Sequence, residues 1–134
     1  MAWYAAHIVS YVKFKDAIQD RFPLWENIVL ISAESVDAAY EEAEKIGKES
    51  YDDTEDPDNS GDMTWDGRPA YWVFAGVRKL AVCTADVNDE ITETDPQFRP
   101  THGTEITYLE MEVSTQEELA KLVDGASVMI RYDQ

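Results

Sequence analysis

The sequence predicts a single α+β domain, a mostly antiparallel sheet with two helices on one face. Three observations predict it. At 134 residues and 44% hydrophobic, the chain is long enough for one core and short for two. Its apolar residues fall into blocks rich in aromatic and β-branched side chains, separated by two stretches of helical spacing. No internal repeat interrupts that order.

Taken in order, residues 3–14 read as a first strand, and 15–24 as a connector that Pro23 helps to end. Residues 28–33 form a nearly continuous apolar run, the pattern of a strand covered on both faces. Ser35 is placed to cap the first helix, and Asp37 adds favourable charge to its first turn. Val36, Ala39, Tyr40, Ala43 and Ile46 make its buried stripe, and Gly47 is the expected C-terminal stop. Residues 49–66 carry acids without a single Lys or Arg and read as a solvated loop. Asp66-Gly67 is a hairpin turn into a long strand over 71–83, apolar on both faces and so expected at the sheet's centre. Gly76 there marks a bulge or a close approach. Residues 86–103 form a second acidic loop, broken by Pro96 and Pro100. A half-exposed strand follows over 106–113, with Leu109, Met111 and Val113 inward. Ser114 and Glu117 are spaced as a capping box for a helix that buries Leu119, Leu122 and Val123 and stops at Asp124-Gly125. Val128, Ile130 and Tyr132 alternate in a closing strand. From residue 28 onward the order is β-α-β-β-α-β, a ferredoxin-like core preceded by an extra N-terminal strand.

Charge narrows the function. With 28 acidic and 11 basic residues the chain carries −17, which repels phosphate backbones and anionic lipid and attracts basic partners. Nucleic acid and membrane are therefore not expected partners. The longest apolar runs fall far short of the roughly 20 residues a bilayer requires. No basic segment leads into an apolar one at the N-terminus, and Cys83 is alone, so a cytoplasmic location is expected.

Candidate chemistry is sparse. Asp56, Asp58, Ser60, Gly61 and Asp62 follow the first part of a calcium loop, yet its twelfth position, where a bidentate carboxylate is needed, is Gly67. An acidic hairpin loop is the plainer reading. His7 alternates with Trp3, Ala5, Val9 and Tyr11 as a packed or hydrogen-bonded strand residue, and His102 sits in a turn. With one cysteine and no close histidine pair, a zinc site is not expected. No phosphate loop, dinucleotide fingerprint or nucleophile elbow is present, and no cofactor is expected. Trp65, Tyr71, Trp72 and Phe74 form an aromatic cluster on the hairpin, favoured as core packing over a partner-binding platform.

The opening Trp3-Tyr4-Ala5-Ala6, the block from Glu26 to Glu34 leading to Ala38-Ala39 and Ala43 to Lys48, and the later Trp72 to Leu80 carry a resemblance. Together they resemble a bacterial family of domains of unknown function, number 4288. The resemblance covers most of the chain, rests on structural motifs, and brings no activity, cofactor or catalytic residue.

The first functional expectation is a non-enzymatic acidic interaction module, an immunity- or antitoxin-like inhibitor of a basic protein. Asp52, Asp53, Asp56, Asp58 and Asp62 would steer the partner and Trp65 would anchor it. The alternative is a small-ligand or cation-binding regulatory domain, with a pocket between the sheet and the 86–103 loop.

Overall fold

The structure is a computed structural model, described here for residues 2–16, 18–54, 63–83, 101–125 and 131–132. Its elements are β1 (Ala2–Phe14), β2 (Phe22–Ala33), α1 (Val36–Ser50), β3 (Thr64–Trp65), β4 (Arg68–Val82), β5 (Glu105–Val113), α2 (Gln116–Val123) and β6 (Arg131–Tyr132). The strands form one sheet in the order β3-β4-β1-β2-β5-β6, and every ladder among the described residues is antiparallel. The α+β class and the β-α-β-β-α-β order stand, with the extra strand β1 at the centre. Because β2 and β4 both run antiparallel to β1, they are parallel to each other, and β2-α1-β4 is a split β-α-β unit.

β1 and β2 pair in one unbroken register, Tyr4 opposite Ile31 through Tyr11 opposite Leu24. Even residues of β1 therefore share a face with odd residues of β2. On that face Tyr4, Ala6, Ile8, Val29, Ile31 and Ala33 pack against Ala39 and Ala43 of α1. On the other, Val9, Phe22, Leu24, Met111 and Val113 pack against Leu119 and Leu122 of α2. The helices thus take one face each, where the sequence reading placed both on one. A helical stripe shows that a helix is buried, but not on which side of the sheet.

Several elements shift from their expected positions. β2 starts at Phe22, and Pro23 lies within it opposite Glu112. The β1–β2 turn is filled instead by Gln19, which accepts from the Phe14 amide at 3.0 Å and donates to the Val12 carbonyl at 2.9 Å. β4 sits beside the short edge strand β3, not at the centre, and leaves most of its residues half-buried. Gly47 is no stop: α1 runs three residues beyond it, and a Cβ at Gly47 would stand 2.3 Å from the Phe74 ring. Close packing of helix on strand is what requires glycine there. Ser35 caps α1 as expected, accepting from the Ala38 amide at 3.1 Å, but Val36 and Tyr40 face solvent. The α2 cap moves one residue along, to Thr115 paired with Glu118. Gly76 meets its expectation, since a Cβ there would lie 2.7 Å from Val123 of α2.

Candidate binding recess

α1 covers only part of its face of the sheet. Beyond its C-terminus the same face presents Ser10 from β1, Trp25 and Asn27 from β2, and Trp72 from β4. The chain leaving α1 folds down across them. The Ser10 hydroxyl donates to the Tyr51 carbonyl at 3.0 Å. The Asp53 amide donates to the Trp72 carbonyl at 2.8 Å, and the Trp72 amide donates back to the Asp53 carboxylate at 3.0 Å. The Phe74 amide donates to Asp52 at 2.7 Å. The segment is thereby laced to the outer edge of β4, whose amides would otherwise lack partners at these positions.

Between this segment and the sheet lies a recess of about 110 Å³, lined by Ser10, Trp25, Asn27, Ser50, Tyr51, Asp53 and Trp72. Ser10 and Asn27, 2% and 3% exposed, form its floor, while Ser50 and Asp53 are exposed at the rim. The walls are aromatic. Trp25 lies 5.2 Å from Trp72 and stacks on Tyr108 at 5.3 Å, and Trp65 meets Trp72 edge-on at 6.4 Å.

Electrostatics set the character of the floor. The Asn27 amide nitrogen and the Tyr51 hydroxyl both donate to Glu105, the latter at 3.2 Å. A carboxylate only accepts, so this contact fixes which way the Asn27 amide points. Its oxygen is left buried with no partner, as is the indole nitrogen of Trp25. Burial, reinforced by the Glu105 charge and its hydrogen bond, pushes the Tyr51 phenol up to about 12, so it stays a donor at neutral pH. No lysine or arginine is among the lining residues, and the two unpaired atoms are themselves sealed from solvent. Ser10 spends its proton on a backbone carbonyl, so nothing here activates it as a nucleophile.

Other polar clusters are self-contained. On the opposite face Glu26, 2% exposed, is held by Arg78 at 2.6 Å and His7 at 3.3 Å. His7 is thus the hydrogen-bonded strand residue expected. At the β1–β2 turn Arg68 pairs with Asp16 and Asp20, both at 2.9 Å, and lies over the Phe14 ring. His102 accepts from the Ser32 amide and faces Glu42 at 3.3 Å, and Cys83 is half-buried. Among the described residues, no group of three or more His, Cys, Asp or Glu is placed to hold a metal ion, and no helix is long and apolar enough to cross a membrane.

The expected partner-binding residues are only partly brought together. Asp52 and Asp53 are neighbours, but each has a carboxylate oxygen on a β4 amide. Trp65 packs with Trp72 against Val12, Phe14 and Ala70. Asp56, Asp58 and Asp62, with the calcium-like pattern, lie outside the described residues, as does most of the 86–103 loop. Ser10, Trp25, Asn27 and Tyr51 were not singled out by the sequence. The available signal was a pair of amide and hydroxyl side chains set into strands at inward positions.

Residues 3–107 match the sequence profile of a family described as Domain of unknown function (DUF4288). No curated protein and no solved structure matches the chain. The matched span holds every residue that lines the recess, together with Glu105, whereas α2 and β6 lie beyond it. With most of its length matched, this chain belongs to the DUF4288 family.

Proposed function

We propose that the domain binds a small molecule in the recess beneath the C-terminus of α1, acting as a non-enzymatic ligand-binding module. One observation carries the reading: a recess of about 110 Å³ with Trp25 and Trp72 among its lining residues opens between the sheet and the segment that leaves α1. The aromatic lining supplies contact area, and Ser50 and Asp53, exposed at the rim, supply polar groups for a guest. A cytoplasmic setting fits the lone cysteine and the charge.

The test is a thermal-shift screen against small metabolites, with Ser10→Leu as the control that fills the floor. A ligand selective for the native state raises the midpoint in the wild type and leaves the variant unmoved. If no compound separates the two proteins while both remain folded by near-UV circular dichroism, the reading fails.

The acidic interaction module stands second, favoured by the charge of −17. Asp52 and Asp53 each set one carboxylate oxygen on a β4 amide, and Asp53 stays exposed. Capture of a basic protein that is released by added salt supports it. Absence of any salt-sensitive partner retires it.

A further inference from the structure

We propose that the outer edge of β5 is a docking site for an extended basic segment of a partner protein, which pairs with it as an added strand. The inference is independent of the recess and gives the interaction-module reading a surface of its own. β5 pairs with β2 along its length, but with β6 only at Met111 and Glu112. Among the described residues no strand pairs with its outer edge over 105–110, and residues 105–109 are all exposed. A register shift falls between Glu105 and Thr107, so the regular run open to a new strand begins at Thr107. Such an edge offers main-chain donors and acceptors to any extended chain that meets it.

Side chains favour pairing here. Ile106, Tyr108 and Leu109 are 54%, 50% and 42% exposed, although Leu109 alternates as an inward residue in the sequence. Tyr108 lies opposite Asn27 on the α1 face and Leu109 opposite Glu26 on the α2 face, so an added strand finds apolar contact on both faces. Edges that avoid pairing carry lysine or proline, and from Thr101 to Val113 there is no lysine, arginine or proline. Charge chooses the occupant. The stretch carries Glu105, Glu110 and Glu112; Glu112 is matched by Arg21 at 2.5 Å, whereas Glu105 accepts from the neutral Asn27 and Tyr51. A second copy would bring another −17 to the edge, so like charge opposes self-pairing. A strand alternating lysine or arginine with aliphatic residues complements both the carboxylates and the apolar side chains.

The probe is a capped octapeptide of alternating lysine and valine, followed on the whole chain by anisotropy of the labelled peptide and by ¹H–¹⁵N shifts of the protein. It is expected to saturate in about the micromolar to millimolar range, with its largest shifts at 105–110. The glutamate–valine counterpart should not bind. Methylating every backbone nitrogen of the peptide keeps its charge and removes its donors, and should weaken binding about tenfold. Ile106→Lys and Val36→Lys each add one positive charge at an exposed site. The first, on the edge, should weaken binding about tenfold, and the second, on α1, less than about twofold. The proposal is overturned if the methylated peptide binds as well as its parent, if the two variants weaken binding alike, or if the shifts fall outside β5. The peptide comparison and the shift map use the unaltered protein, so they decide the matter even where a variant fails to fold. A dimer of the free protein that Ile106→Lys dissociates would make a second copy the occupant and overturn the basic partner. If the edge fails while a basic protein is still captured in a salt-sensitive way, the interaction module stands on a different surface.

Discussion

Glu26 and Asn27 are consecutive residues of β2, equally buried, and they meet opposite fates on the two faces of the sheet. Glu26 points to the α2 face and is matched by the Arg78 guanidinium and the His7 ring. Asn27 points to the α1 face, where its nitrogen is matched by Glu105 and its oxygen by nothing. Two buried polar groups have therefore been handled differently. A buried group whose partners are built in belongs to the architecture; one left unpaired is a cost the fold carries.

The two faces should respond differently to mutation, and the largest effect is expected at Glu26. Arg78→Ala leaves a buried carboxylate without its main partner and should cost about 3 kcal/mol or more in urea unfolding. Replacing both, as Glu26→Leu with Arg78→Met, should recover most of that loss. A small loss in the single variant would mean that the Glu26 cluster does not hold that face.

Gly47→Ala comes next. Its Cβ has no room against Phe74, so overpacking should cost about 1–3 kcal/mol, relieved by Phe74→Leu. An unchanged midpoint would show that α1 rides higher on the sheet and that the recess has a different depth.

On the α1 face the sign reverses. Asn27→Leu removes an unpaired oxygen and frees the exposed Glu105 to water, so stability should stay level or rise by up to about 1 kcal/mol. A loss as large as that of Arg78→Ala would erase the contrast between the faces.

The smallest effect is in pH. The fold holds the Tyr51 phenol at about 12, above its ordinary 10.0, which means that folding favours the protonated form. That stabilisation is whole below pH 10 and is lost as pH climbs through 12. Tyr51→Phe should shrink this alkaline limb, which Tyr11, also pushed up by burial, shares, and leave the neutral range nearly unchanged.

How much of this was legible in the sequence divides along the same line. Element types and order were readable because they depend on local spacing: Ser35 and its cap, Asp66-Gly67 with positive φ at both residues, and Leu119 with Leu122 all sit as the pattern requires. What depends on distant strands was not. Val36 and Tyr40 lie on the apolar stripe of α1, yet they stay exposed because the sheet beneath is covered by Ala39, Ala43 and Gly47. Gly47 reads as a stop in a sequence and is a contact in space, because Phe74 is 27 residues away in the chain. The recess was illegible for the same reason. Its walls come from β1, β2, β4 and the segment after α1, and no local pattern shows that Ser10, Asn27 and Trp72 share one face. The abundance of acids pointed to Asp52 and Asp53, and no local pattern shows that each also sets a carboxylate oxygen on a β4 amide.

The most direct measurement is the indole N–H resonance of Trp25, assigned by its disappearance in Trp25→Phe and followed in a ¹H–¹⁵N spectrum as a hit from the metabolite screen is added. Because Trp25 lines the recess, its resonance should shift and saturate with the compound. A Trp25 signal that holds still while the compound raises the thermal midpoint would place the guest elsewhere and contradict the proposed site.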